Sequence, residues 1–252
     1  EILTDHPKRF RALLVESGAT CLMVDCGFGQ RETIRRLARL GRAPEQLTGI
    51  LVTHEHGDHV GGVFPFARRH GLPVWLSHGT SSACQSAAQG VELRIIDCAA
   101  AFCVEALEVQ PFPVPHDARE PLQFVFSDGN KRLGLLTDAG EITRHMRDML
   151  SGVDGLILEC NHDAGMLASS RYPPSLQRRI AGRLGHLAND AAAGLLREID
   201  SSQLQHIVAA HLSEQNNHPS LAVRALATVL GFANERIGVA GQEAGFDWRQ
   251  LV

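Results

Sequence analysis

The chain has 252 residues, 44% of them hydrophobic, and a formal net charge of -4. That length and apolar content support one large domain or two small ones around a sizeable core, and exclude disorder and fibrous repeats. No apolar run reaches the roughly 18 residues of a membrane span, the polar stretch Glu1 to Arg11 does not read as a signal peptide, and a mildly acidic chain is not coated in positive charge for nucleic acid, although a local basic stripe is compatible with it.

Ala12 to Glu16 and Thr20 to Asp25 read as two strands joined by a tight Ser17-Gly18 turn. Arg31 to Leu40 has helical periodicity, with Ile34, Leu37 and Leu40 on one side. Gly49 to Thr53 is a short apolar strand. A helix is predicted over Val60 to His70, a strand over Val74 to Ser77 and a helix over Gly79 to Ala88. The middle is richer in strands: Arg94 to Ile96, Cys103 to Pro113, Leu122 to Phe126 and Arg132 to Thr137, with a hairpin signal at Ser127-Asp128-Gly129-Asn130. Alternation then resumes. Ile142 to Met149 is helical, Gly155 to Glu159 extended, Ser175 to Gly182 and Asn189 to Ile199 helical, His206 to Ala210 extended, Pro219 to Leu230 helical and Ile237 to Ala240 extended. With no linker or repeat to divide it, 1–252 reads as a single α/β domain of two mixed sheets with helices outside.

The six cysteines (Cys21, Cys26, Cys84, Cys98, Cys103 and Cys160) form no C-x-x-C pair and read as reduced, mostly buried apolar residues, which points to a reducing cytoplasm. The surplus lies in histidine: 13, against one tyrosine and two tryptophans. Histidine is the commonest metal ligand, so the question is whether these residues converge. The densest stretch is Thr53-His54-Glu55-His56-Gly57-Asp58-His59, directly after an apolar strand and before a helix. Three imidazoles and two carboxylates so close together are costly to bury unless metal or hydrogen bonds compensate. Alternation around Glu55 turns that residue away from a common point. Imidazole and carboxylate without thiolate suit zinc, iron or manganese.

This T-H-x-H-x-D-H pattern resembles the metallo-β-lactamase superfamily. The resemblance implies an αββα fold and further ligands at strand ends downstream. His116 in Pro113-Val114-Pro115-His116-Asp117, Asp138 in Leu135-Leu136-Thr137-Asp138-Ala139-Gly140 and His211 in Ala209-Ala210-His211-Leu212-Ser213 stand in the expected order. Carried over residue by residue, the pattern implies two divalent ions (Zn, Mn or Fe). His54, His56 and His116 would hold one, and Asp58, His59 and His211 the other, with Asp138 bridging and Asp58 also orienting the attacking water. In the β-lactamases of the superfamily the bridging position is typically cysteine, so an aspartate here speaks against antibiotic hydrolysis and leaves esterases and thioesterases open.

Three later segments narrow the resemblance to the YycJ/WalJ-like group and, more broadly, to its ribonuclease Z-like branch. They are Leu156 to Asp163 with its N-H-D ending, Gly185-His186-Leu187-Ala188-Asn189, and His211-Leu212-Ser213-Glu214-Gln215-Asn216-Asn217; Arg171-Tyr172-Pro173 accompanies them. The resemblance covers about Leu13 to Gly241 and implies DNA exonuclease-like phosphodiester hydrolysis. By it, His186 would protonate the leaving oxygen and Glu159 would hold its tautomer; the alternative is a helix-capping histidine and a structural ion pair. His162 either binds substrate phosphate, supports the metal shell or is a satisfied polar core residue. Arg171 and Tyr172 are candidate substrate contacts, with surface solvation and packing as the alternatives. Arg179 and Arg183, four apart, are read as one helical face able to meet phosphate. The group's usual G-S-G-S-x-G-N turn is replaced here by Asp5-His6-Pro7-Lys8-Arg9-Phe10. The expectation is therefore a binuclear phosphodiesterase acting on nucleic acid, with no membrane partner. The rivals are a small-molecule esterase or thioesterase on the same metals and a non-catalytic metal-stabilised binding module.

Overall fold

The structure is a computed structural model that describes residues 12–231, 237–241 and 245–252. The N-terminal departure at Asp5 to Phe10 lies outside them. The chain forms two compact units. The first takes residues up to Leu107 together with Ala118–Leu122, and the second takes Glu108–Asp117 and everything from Gln123 onward.

The first unit opens on a hairpin of β1 (Leu13–Ser17) and β2 (Thr20–Val24), turned at Gly18 with φ +58. It continues through α1 (Gln30–Arg39), β3 (Gly49–Leu51), α2 (Gly57–Val60), α3 (Val63–His70), β4 (Val74–Ser77), α4 (His78–Ala83) and β5 (Leu93–Ile96). The sheet order is β1-β2-β3-β4-β5. Only the hairpin is antiparallel, and β2 to β5 run parallel. Strands β2, β3 and β4 are buried at every position, which is why they read as unbroken apolar runs rather than as alternation. Met23, Ile50, Val52, Phe64, Phe66 and Leu76 form the centre of this core.

The second sheet and the helices beside it comprise β6 (Phe102–Val104), β7 (Leu107–Pro113), β8 (Leu122–Ser127), β9 (Arg132–Leu136), α5 (Arg144–Leu150), β10 (Gly155–Glu159), α6 (Ala164–Ala168), α7 (Pro174–Ile180), α8 (Asn189–Glu198), β11 (His206–Ala210), α9 (Pro219–Leu230) and β12 (Ile237–Val239). The sheet order is β12-β11-β10-β9-β8-β7-β6. Strands β9 to β12 are parallel, and β8 meets β9 antiparallel with Ser127 opposite Arg132, as the turn signal predicts. Phe112, Leu136, Leu158, Leu195, Ala209 and Leu226 share the core. The two mixed sheets with flanking helices are the α/β class expected. Within each unit the parallel strands end on one edge, where the loops that follow them gather, the usual place for a site in such sheets.

Several boundaries differ from the sequence reading by a residue or two, and four departures have a local cause. The helix expected over Val60 to His70 is interrupted at Gly61-Gly62, because the backbone there passes against Phe28 and Cys26: a Cβ on Gly62 would stand 1.8 Å from the Phe28 carbonyl oxygen, and Gly62 N donates to Cys26 O at 2.7 Å. The run Cys103 to Pro113 breaks at Glu105, whose φ is +50. Helix α4 starts one residue early, capped by Ser77 Oγ accepting from Thr80 N, and ends at Ala83. Helix α6 has no periodic apolar signature and exists because Asp163 caps it, accepting from Met166 N at 2.9 Å. Cys21, Cys26, Cys84 and Cys160 are buried and Cys103 is exposed; all six are free thiols. Among the described residues no helix is long and apolar enough to cross a membrane.

Candidate metal centre

The first unit gathers the motif histidines at the ends of β2 and β3. Thr53 N and Oγ1 each donate to the Asp25 carboxylate at 2.8 Å. His59 Nδ1–H donates to the same carboxylate at 2.7 Å. Since the Thr53 hydroxyl has given its one proton to Asp25, it can only accept from His54 Nδ1, 3.0 Å away. Both rings thus carry their proton on Nδ1, which leaves Nε2 of each as the nitrogen available to a metal. The His54 ring lies 4.5 Å from that of His56 and 4.1 Å from that of His59, centroid to centroid. His54 and His59 are buried, and Asp58 stands part-exposed with Oδ2 3.7 Å from His59 Nε2. Glu55 turns away as expected, accepting from Arg119 N at 2.8 Å.

Asp25 is the residue the sequence reading missed. It follows the apolar run of β2 and precedes Gly27, the same strand-end signature that singled out Asp138. Asp25, Asp138 and His211 also share left-handed backbones, with φ +58, +53 and +60. Such conformations cost on the order of 1 kcal/mol each in non-glycine residues and persist where the surroundings impose them.

The second unit gathers the other residues around Glu159, the last residue of β10, which is fully buried. Its Oε1 accepts from His186 Nδ1 at 3.0 Å and lies 2.6 Å from His211 Nδ1. Its Oε2 accepts from Ala139 N at 3.0 Å and from Leu187 N at 3.2 Å. Glu159 thus meets His186, His211 and the backbone beside Asp138 at once. Burial alone would raise the Glu159 carboxyl; the His211 and His186 imidazoles, by charge and by hydrogen bond, outweigh it and hold the group well below the usual carboxylate range. Asp138 Oδ1 lies 3.1 Å from His211 Nδ1 and 3.5 Å from His186 Nδ1. The His186 side chain keeps 20% of its surface exposed, whereas His211 keeps 4%. His116 Nδ1–H donates to the Gly185 carbonyl at 3.1 Å, which turns Nε2 toward coordination. Burial pushes the His116 pKa down, toward the neutral form that a metal requires.

One ligand atom each from Asp138, Glu159, His186 and His211 fall within 4.8 Å of one another. Two carboxylates buried together are costly unless positive charge compensates. Two imidazoles serve that purpose only when protonated, whereas a divalent cation serves it directly. The donor set, nitrogen and oxygen without sulfur, suits Zn, Mn or Fe.

The candidate substrate residues are placed unevenly. His162 is buried, and burial lowers its pKa; its backbone bridges to Ala188 and its carbonyl accepts from Asn189 N. Arg171 is exposed and carries no ion pair among the described residues, and Tyr172 is half-buried. The paired face expected of Arg179 and Arg183 is not formed. Helix α7 ends at Ile180, Arg179 binds Asp117 at 2.8 Å, and Arg183 binds Glu141 through two contacts of 2.9 and 2.7 Å.

The family model described as the beta-lactamase superfamily domain matches residues 20–211. The exodeoxyribonuclease YycJ of Bacillus anthracis is 34% identical over 212 residues, 83% of this chain and 80% of that protein. The exodeoxyribonuclease WalJ of Streptococcus pneumoniae is 32% identical over 231 residues, 89% and 86% of the two chains. Among solved structures, the metallo-beta-lactamase fold protein YhfI of Bacillus subtilis aligns with a TM-score of 0.72 at 18% identity, covering 95% of this chain and 91% of that one, which shows the shared fold.

Proposed function

The chain belongs to the beta-lactamase superfamily, in the group of the YycJ and WalJ exodeoxyribonucleases, and on that premise we propose that it is a divalent-metal-dependent phosphodiesterase that removes nucleotides from DNA. The observation that carries the reading is the Glu159 hub: one buried carboxylate holds both a partly exposed imidazole, His186, and a buried one, His211, beside Asp138. A thioesterase releases a thiolate, which needs no such acid. In this reading 1–252 acts as one catalytic domain. His54, His56 and His116 would hold one metal and Asp58, His59 and His211 the other, with Asp138 shared by both.

Two divalent ions, when bound, supply Lewis acidity that brings the pKa of water toward neutrality. The protein does the rest. Glu159 fixes the His186 proton on Nδ1, so the proton delivered to the departing alkoxide comes from Nε2, and a positioned acid of this kind contributes about 10²–10⁴-fold. Asp58 orients the attacking water. Arg171 and Tyr172 engage the strand outside the metals, and His162 supports the loop from behind. A reducing cytoplasmic setting fits the six free thiols.

The direct test offers end-labelled DNA and a glutathione thioester side by side to the metal-loaded protein. Release of nucleotides with no thioester turnover is the expected result; thioester hydrolysis with intact DNA would replace the reading by its rival. Asp25 provides a second check. Asp25→Ala removes the acceptor that holds His59 Nδ1, and such orienting partners contribute about 10–100-fold to metal affinity. Competition against a chromophoric chelator should show that loss, and unchanged affinity would mean that His59 does not bind metal.

A further inference from the structure

The three later segments each contribute an asparagine, and all three are buried: Asn161, Asn189 and Asn217. Asn189 and Asn217 exchange reciprocal amide bonds, each Nδ2 donating to the other's Oδ1 at 2.9 Å. Asn217 Nδ2 also donates to the Cys160 carbonyl at 2.7 Å, and its Oδ1 accepts from His218 N at 2.8 Å. Its two donors and two lone pairs are all used. Asn161 closes the remaining side. Its Nδ2 donates to the His211 carbonyl at 3.0 Å, its backbone N to the Leu187 carbonyl at 2.9 Å, and its carbonyl accepts from Ser213 N at 2.7 Å.

These bonds meet three chain segments at points next to the chemistry: Cys160 follows Glu159, Leu187 follows His186, and His211 is itself a contact. A buried amide whose donors and acceptors are all used, as in Asn217, admits one arrangement, since any shift strands a partner. We infer that Asn217, together with Asn189, is a positioning residue that sets the place of His186 against Glu159 for proton transfer. The inference rests on the phosphodiesterase reading and adds to it what holds the acid.

The experiment compares Asn217→Ala and Asn189→Ala with the parent full-length, metal-loaded chain on two substrates. DNA has an alkoxide leaving group that needs the acid, whereas bis(p-nitrophenyl) phosphate releases a phenolate that does not. The expected result is a kcat on DNA about 10-fold lower or more, with KM and metal content unchanged and turnover of the aryl ester nearly intact. The double variant should lose no more than the worse single one, because reciprocal amides act as a unit. In the metal-free protein the His186 ring resonances should broaden. Equal losses on both substrates, or parent-like DNA turnover with sharp His186 resonances, would overturn the inference. If Asn217→Ala does not fold, Asn189→Ala, which leaves the bond to Cys160 in place, carries the same test. His186→Ala is the control: if it slows both substrates equally, the acid reading fails rather than the role of the amides.

Discussion

Asp138→Ala should reduce hydrolysis of DNA and of bis(p-nitrophenyl) phosphate to background and leave fewer than two metals per chain. The carboxylate is almost wholly buried and held by a left-handed turn directly after β9, beside both His186 and His211. In the proposed site it is the one group shared by both metals, so its loss weakens both at once. The metal-free variant should unfold near the parent temperature, because the change removes a buried carboxylate whose desolvation works against folding. That separates loss of the site from loss of the fold. A variant that kept two metals and normal turnover would contradict the bridging role. Asp138→Asn, which keeps the shape and loses the charge, should behave like the alanine variant.

His186→Ala should lower turnover of DNA by about 10²–10⁴-fold, the range for a positioned general acid, with both metals retained. The aryl phosphodiester should be affected far less. The structure makes this a decisive comparison, since ligand atoms of Asp138, Glu159, His186 and His211 lie within 4.8 Å of one another and that proximity suits coordination as well as proton transfer. The 20% exposure of the His186 side chain favours contact with substrate over a closed ligand. Elemental analysis of the variant decides: full metal content with slow DNA turnover identifies an acid, while a lost metal identifies a ligand.

Much of the candidate site is legible in the sequence because its residues follow strand ends, and strand ends are marked by apolar runs giving way to polar residues. The candidates His54, His116, Asp138 and His211 all carry that mark and lie just beyond the ends of strands. Asp25 carries it too, but as a lone carboxylate outside the histidine-rich stretch it does not announce a role; only its bonds to Thr53 and His59 do so. The asparagine network is invisible for a different reason. Asn161, Asn189 and Asn217 are far apart in sequence, and their amides meet only after β10, α8 and β11 are in place. Glu159 was read as a partner of one histidine because a linear pattern shows neighbours, not how many donors converge on one oxygen. The interruption at Gly61-Gly62 depends on backbone approaching from the loop after β2, which helical periodicity does not register. The division into two units leaves no compositional trace, since Glu108–Asp117 and Ala118–Leu122 are adjacent in the chain yet fall in different units.

The central claim is that this chain is a two-metal enzyme that cleaves phosphodiester bonds in DNA. It is tested most directly by titrating zinc or manganese into metal-free protein, with bound metal and nucleotide release from end-labelled DNA measured on the same samples. The predicted result is no release without metal and a rate that rises until two ions are bound per chain and then levels off. Cleavage by the metal-free protein, or two bound ions with no cleavage, would contradict it.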